Sequence, residues 1–264
     1  MKNPTEFKNQ PTSNFDFANI LFAGPCNQRC PYCIGRQLDP ALNCSNLATF
    51  PLHNLDRFVA LLKRHHIRQL TLTGTNTDPQ LYFREADLLK WLHEAIPDIQ
   101  ISLHTNGQLA LLKMDVLNCY DRATLSFPSF DPQTFFQMTG VRHMPDLDAI
   151  LRRARVPLKL SCVLGQENIS QVQAFLDQCH RLGIKRVVFR QQFGSPVAWQ
   201  PPATLKQVGT YHDNPVYDDC GIQVTYWRFE RTTTSSLNLF ADGSISTDYL
   251  LARHTSPRTK SPLH

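Results

Sequence analysis

The feature that most constrains the fold is a regular alternation of short apolar runs with longer amphipathic patterns, from about residue 17 to residue 191. Six of the runs have the length of a strand, and the segments between them place apolar residues on one helix face, as with Leu55, Phe58 and Leu62. Repeated strand and helix units give parallel strands with right-handed crossovers. The sequence therefore predicts an α/β protein, either an open doubly wound sheet or a partial barrel.

The same patterns predict the bounds of the elements and of the domains. Strands are predicted at 17–22, 69–74, 99–104, 123–127, 157–164 and 186–191. Helices are predicted at 52–65, 84–95, 132–138, 146–153 and 170–182, with a short helix between the third and fourth strands. Later stretches, GIQVTYWRFER and SSLNLFADGSISTDYLL, have the pattern of strands, and Asp242-Gly243 indicates a hairpin. We expect an N-terminal tail at 1–15, a core at 16–194, a small C-terminal β-rich extension at 195–254 and a mobile tail at 255–264.

Composition narrows the class of protein. A chain of 264 residues suits one main domain with an appendage. The net charge of +5 and the pI near 8.8 fit an anionic ligand, but the scattered Lys and Arg residues argue against a nucleic-acid binder. The N-terminus is polar and no apolar run has membrane-spanning length. We therefore expect a cytoplasmic protein with no membrane partner; nothing in the sequence indicates its oligomeric state.

Three of the eight cysteines, Cys26, Cys30 and Cys33, lie close together in the string GPCNQRCPYC after the first predicted strand. Thiolates are the ligands of iron-sulfur clusters, and a four-iron cluster normally takes four of them, so three would leave one iron open. A structural zinc site is the alternative, but it needs a fourth ligand such as Cys44 or His53. Buried thiols without a metal are a further alternative, and in a reducing compartment the other five cysteines fit that role.

Polar segments follow five successive predicted strands. The cysteine string follows the first strand, and the next four are followed by TGTNTDP, HTNG, SFPS and VLGQEN. In α/β sheets and barrels, ligands bind at the C-terminal ends of the strands. These loops therefore predict one composite site, although polar loops occur at this edge of any such fold.

The string CNQRCPYC resembles the CxxxCxΦC pattern of the radical S-adenosylmethionine (SAM) superfamily, and the resemblance covers residues 16 to 194. TGTNTDP stands where that superfamily has Gly-Gly-Glu-Pro, and LHTNG follows the third predicted strand as similar strings do there. SFPSFDPQTFFQMTG resembles the SLDSxDPExFxxxTG segment of the molybdenum-cofactor GTP cyclase type. That cyclase's C-terminal cysteine triplet has no counterpart, which argues against the same activity.

The resemblance implies a partial (β/α)6 barrel that holds a [4Fe-4S] cluster through Cys26, Cys30 and Cys33. SAM would then chelate the fourth iron with its amino and carboxylate groups. Electron transfer from the cluster would cleave SAM to methionine and a 5′-deoxyadenosyl radical, which abstracts hydrogen from a substrate. The resemblance also implies a small electron-donor protein such as flavodoxin or ferredoxin.

Further SAM contacts are implied position by position. Tyr32 would pack near adenine or serve only in loop packing. The loop Gly74, Thr75, Asn76, Thr77 and Asp78 would accept hydrogen bonds from the SAM ammonium through backbone carbonyls, with Asp78 supplying the carboxylate where the superfamily has Glu. Ser126 would contact the SAM carboxylate or ribose, Asn106 and Glu167 would lie on the rim, and Arg190 would bind a carboxylate or phosphate or form a surface ion pair. No catalytic side chain is assigned.

Three functions remain open on the sequence. The first is a radical SAM enzyme acting on a small polar or nucleotide-like molecule, with the substrate contacts expected among Tyr226, Arg228, Arg231 and Asp248. The second is a radical SAM enzyme acting on a peptide or protein, as glycyl-radical activases do. Two expectations argue against it: the extension has one cysteine, Cys220, too few for the auxiliary-cluster domain of many peptide-modifying relatives, and the N-terminal tail is too short for a domain that grips a leader peptide. The third is a non-enzymatic zinc-binding module.

Overall fold

The computed structural model describes residues 15–203 and 205–248, and within them the strands form one sheet of eleven. The order is β11-β10-β1-β2-β3-β4-β5-β6-β9-β8-β7. The strands are β1 (Phe17–Phe22), β2 (Gln69–Gly74), β3 (Gln100–Thr105), β4 (Arg122–Ser126), β5 (Leu158–Leu164), β6 (Arg186–Gln191), β7 (Lys206–Tyr211), β8 (Asn214–Asp219), β9 (Ile222–Trp227), β10 (Ser236–Leu239) and β11 (Ile245–Ser246).

The α-helices connect the first six strands. Those in the described residues are α1 (Leu55–Arg64), α2 (Glu85–Ala95), α3 (Met114–Leu117), α4 (Pro132–Thr139), α5 (Leu147–Arg153) and α6 (Val172–Arg181). Asp131 and Asp146 cap α4 and α5 by accepting hydrogen bonds from backbone N–H groups of the first turn. None of the described helices is long and apolar enough to cross a bilayer.

β1 to β6 lie side by side in chain order and are all parallel. A doubly wound sheet reverses its strand order at a switch point, and this run does not. Among the described residues the outermost strands, β7 and β11, do not pair with each other, so the sheet is open. The prediction of a partial (β/α)6 barrel is confirmed.

The two faces of β2 to β6 differ in chemistry. Leu70, Leu72 and Phe189 alternate with polar residues and pack with the helices in the main hydrophobic core, where each is at most 1% exposed. The intervening residues, such as Thr71 and Ser161, face the concave side of the sheet. This period-two pattern gives an apolar convex face under the helices and an interior in which polar side chains are mixed with apolar ones such as Val163 and Val188.

The C-terminal strands extend both edges of the barrel sheet. β10 pairs in parallel with β1, and β9 pairs in parallel with β6. The Asp242-Gly243 hairpin is confirmed: β10 and β11 are antiparallel, and Gly243 takes a positive φ of 88°. The division at residue 194 stays a prediction. The predicted tails, apart from Phe15, lie outside the described residues.

Candidate functional site

The thiols of Cys26, Cys30 and Cys33 line one concave cavity of about 1430 Å³, together with the loops that follow β2, β3 and β4. Each of the three is half-buried. Cys44 is exposed, and neither Cys44 nor His53 lines the cavity. The residues proposed to complete a zinc site therefore lie apart from the cavity that the triplet faces.

The cysteine loop rests against the end of α4. The Arg29 N–H donates to the Thr139 carbonyl at 2.7 Å. Gly140, which ends α4 with φ of 71°, lies so close that a Cβ there would be 2.9 Å from Arg29 Cβ. A glycine is needed here both for its left-handed backbone and for this close approach. The Thr-Gly pair in the SFPSFDPQTFFQMTG segment therefore helps to shape the cysteine loop.

The thiols are arranged for a cationic partner. Burial raises the pKa of Cys26 and, with the charges of Cys33 and Cys26, raises the pKa of Cys30 to about 12. Because burial disfavours the charged thiolates, a positively charged group is needed to hold the cysteines in that form, as metal binding does when it displaces protons. Buried amide donors of Asn27 and Gln28 have no partner among the described residues, and they suit the acceptor sulfurs of such a group.

The chemistry of the cysteine donors indicates which metal group they would suit. Within residues 15–203 and 205–248, no three His, Cys, Asp or Glu side chains are positioned to hold a single metal ion. Three soft sulfur donors on one cavity wall fit a [4Fe-4S] cluster, whose irons each take one thiolate. Cys26, Cys30 and Cys33 are the residues that would hold it.

The loop after β2 is clamped against the cysteine loop. The Asn76 side-chain oxygen accepts from the Gly24 N–H at 3.0 Å, and the Thr77 hydroxyl donates to the Pro25 carbonyl. The Cys33 thiol lies 3.6 Å from the Thr75 carbonyl. A Cβ on Gly74 would fall 1.8 Å from the Thr77 carbonyl oxygen. Only glycine allows the chain to turn back on itself at this point.

Asp78 is buried, and both of its carboxylate oxygens are used inside the protein. They accept from the Gln80 N–H at 2.9 Å, from the Thr105 hydroxyl at 2.9 and 3.0 Å, and from the Asn106 N–H at 2.6 Å. Burial raises the pKa of this carboxyl to about 6 despite these bonds. Asp78 therefore joins the loops after β2 and β3; its contact with the SAM ammonium stays a prediction.

Four of the remaining predicted SAM contacts line the cavity: Tyr32, Asn106, Ser126 and Arg190. Asn106 Nδ2 donates to Asn27 Oδ1 at 2.6 Å, which ties the loop after β3 to the cysteine loop. Burial raises the pKa of the Tyr32 phenol well above the usual value, and the neighbouring Cys30 adds to this effect.

Glu167 is exposed and is not among the residues lining the cavity. It belongs instead to the loop after β5, where its carboxylate lies close to Gly165. Its contact with SAM stays a prediction that the geometry does not support.

The substrate contacts expected in the extension fall mostly elsewhere. Tyr226 is buried in the core, where its hydroxyl accepts from the Trp199 N–H at 2.9 Å. Arg228 packs over the Tyr226 ring, and Asp248 lies exposed at the cavity wall. Trp227, one position along the strand from Tyr226, lines the cavity. Because side chains alternate along β9, the strand directs Trp227 into the cavity and Tyr226 into the core.

Sequence reasoning also missed a group of basic side chains inside the barrel. Arg122, Lys159 and Arg186 line the cavity, as does the neutral His104. Burial and the neighbouring Arg190 hold the pKa of His104 well below its usual value. The signal was present as basic residues that alternate with apolar ones in RATLS, LKLSCVL and RVVFRQ, since such residues share the face opposite the core.

Comparisons with known proteins agree with this architecture, although no protein-family model matches the chain. The GTP 3′,8-cyclase of Rhodococcus opacus (strain B4) is 26% identical over 166 residues, which cover 60% of this chain and 46% of that protein. Among solved structures, Streptococcus suis SuiB bound to precursor peptide SuiA matches with a TM-score of 0.54 and 18% identity, covering 67% of this chain and 40% of SuiB. SuiB bound to S-adenosylmethionine matches with a TM-score of 0.52 and 18% identity, covering 69% and 41%.

The chain spans less than half the length of these relatives. The matched proteins are radical SAM enzymes, and the SuiB structures share the open, mostly parallel sheet of this chain. By sequence the chain is therefore similar to the GTP 3′,8-cyclase, a radical SAM enzyme, and its open α/β fold is similar to that of radical SAM enzyme structures.

Proposed function

We propose that the protein is a radical SAM enzyme, which reductively cleaves SAM at a [4Fe-4S] cluster and uses the resulting 5′-deoxyadenosyl radical to take hydrogen from a small polar or nucleotide-like substrate. The observation that carries the proposal is the convergence of Cys26, Cys30 and Cys33 on one cavity at the C-terminal ends of the parallel strands. The cyclase resemblance supports the same chemistry.

The chain's own residues would hold and orient the cofactor. The three thiolates would hold the cluster, which would supply the electron that cleaves SAM. The loop of residues 74–78, fixed to the cysteine loop by Asn76 and Thr77, would present backbone carbonyls to the SAM ammonium. Tyr32 would pack against the adenine, and Ser126 and Arg190 would contact the polar groups of SAM. Such a preorganised wall positions the cofactor and limits the access of water.

A small polar substrate suits the interior of the barrel. Its wall includes hydroxyl, amide and basic side chains from each of β2 to β6, interspersed with apolar side chains such as Val163 and Val188. An electron donor such as flavodoxin or ferredoxin would supply the reducing electron from outside.

A peptide substrate is the second candidate function. SuiB, which shares the fold, has been solved with a precursor peptide. In this chain β7 is an edge strand whose six residues are all exposed, and part of it borders the cavity. An exposed edge can pair with an extended peptide, so a peptide could reach the cavity along β7.

Product analysis tests the proposed function. The full chain is reconstituted anaerobically with iron and sulfide and incubated with SAM and a strong reductant. We expect 5′-deoxyadenosine and methionine in equal amounts, with none formed when the reductant is omitted. A reconstituted protein that contains the cluster but releases no 5′-deoxyadenosine, even with candidate substrates present, would show that the proposal is wrong.

A further inference from the structure

Three basic side chains, Arg122, Lys159 and Arg186, form what we call the basic floor of the barrel. They come from the first residue of β4, the second of β5 and the first of β6, at the N-terminal ends of these strands. All three line the same cavity as the cysteine triplet. Because the strands are parallel, the basic floor lies at the end of the cavity opposite the cysteines.

The basic floor has no acidic partner among the described residues. None of its three members forms a salt bridge there. Arg122 donates to the Ser102 hydroxyl at 2.7 Å and to the Gln100 side-chain oxygen at 3.3 Å, both of which are neutral acceptors. Three positive charges therefore line one end of the cavity, and no carboxylate among the described residues forms an ion pair with them.

The acids that line the cavity are engaged elsewhere or lie at its rim. Asp121 accepts from the Ile101 N–H at 2.6 Å, and Asp16 accepts from the Ser235 N–H at 2.7 Å. Asp78 is enclosed by its loop contacts, and Asp248 is exposed. None of them neutralises the basic floor.

The electrostatics of Lys159 agree with this geometry. Burial, together with the charges of Arg190, Arg186 and Arg122, lowers its pKa to about 8. The charged groups that perturb Lys159 are thus all cationic. Unfavourable local arrangements of this kind persist where a binding site uses them.

We propose that the basic floor binds a multiply charged anionic group of the substrate, a diphosphate or a polycarboxylate. The forked guanidinium donors of Arg122 and Arg186 suit phosphate and carboxylate oxygens, and Lys159 adds a compact charge between them. Strands rise about 3.3 Å per residue, so four residues of β4 place the floor about 13 Å from the rim. The reacting carbon would face the cysteine end, a statement that rests on the proposed function.

Calorimetric titration of the full chain with inorganic pyrophosphate, and separately with citrate, tests the basic floor without any need for a loaded cluster. We expect at least one of the two anions to bind and the binding to weaken as salt is added. Lys159→Gln and Arg122→Gln should each weaken that binding about tenfold, because each removes one charged hydrogen-bond donor. Lys159→Arg should retain most of it. The matched control is Lys90→Gln, which removes an exposed lysine on α2 and should leave binding unchanged.

Thermal unfolding gives a second readout that does not depend on affinity fits. The anion that binds should raise the Tm of the parent chain and raise it less in Lys159→Gln, while the ligand-free variant should unfold no earlier than the parent, since a repulsive charge is gone. Preference for pyrophosphate would identify a phosphorylated substrate, and preference for citrate a polycarboxylate. No binding of either anion, or binding that Lys159→Gln and Arg122→Gln leave unchanged, would overturn the proposal.

This test and that of the proposed function fail separately. If the protein binds an anion at the basic floor but releases no 5′-deoxyadenosine, the anion site is supported and the proposed radical SAM activity is wrong. If the protein releases 5′-deoxyadenosine but binds neither anion, the radical SAM activity is supported and the anion site is wrong.

Discussion

The Cys26→Ala/Cys30→Ala/Cys33→Ala variant is expected to fold and yet to retain no iron-sulfur cluster after anaerobic reconstitution. All three thiols face the same cavity, and each would ligate a different iron, so their removal leaves no soft ligand there. Iron and sulfide analysis together with the visible absorption spectrum measures the loss. We expect the parent protein to be brown and the variant colourless, with 5′-deoxyadenosine formation abolished.

Cys44→Ala is the matched control for this result. Cys44 is an exposed cysteine close to the triplet in sequence, but it does not line the cavity. If the triplet holds a cluster, this variant should keep its full iron content. Stoichiometric zinc in the parent protein, lost on Cys44→Ala, would instead support the closed zinc site and contradict the cluster.

The second large effect is expected at Gly74. Its substitution by Ala would place a Cβ 1.8 Å from the Thr77 carbonyl oxygen, and the obstacle is backbone that the neighbouring contacts of Asn76 and Thr77 hold in place. Overpacking of this kind costs about 3 kcal/mol, measured as the free energy of unfolding in urea. Because the loop carries the proposed SAM contacts, we also expect SAM binding to be lost.

Gly209→Ala provides the comparison. Gly209 lies in β7 without a positive φ, and a Cβ added there would meet no heavy atom within 4 Å. Its substitution should therefore change the free energy of unfolding by less than about 1 kcal/mol. Equal effects of the two substitutions, or normal SAM binding by Gly74→Ala, would show that the tight turn after β2 does not shape the site.

The strands and helices of the barrel could be predicted because the local sequence of each one favours the structure that it adopts. The predicted bounds of β1, β2 and β6 coincide with the observed ones, since each strand is a short apolar or alternating run that ends at a polar loop. Helix α1 begins at Leu55 instead of Leu52 because Asn54, at φ of 58°, has a left-handed backbone that does not continue a helix. The position of the cysteines on the loop after β1 could be predicted in the same way, because the apolar first strand ends where the polar cysteine string begins.

The remaining features depend on contacts between distant parts of the chain. β7 was not predicted because all six of its residues are exposed and give no alternation. β8 was not predicted either. β9, β10 and β11 fall in predicted stretches, but nothing local to them indicates that β9 joins β6 while β10 joins β1. The basic floor likewise forms only when β4, β5 and β6 come together.

The central claim is that the triplet leaves one iron for SAM, and electron paramagnetic resonance of the reduced, reconstituted protein tests it most directly. The account predicts a spectrum of a reduced [4Fe-4S] cluster that changes when SAM is added, because SAM would bind the iron that no cysteine holds. A cluster spectrum that SAM leaves unchanged, or a protein that holds no cluster at all, would contradict it.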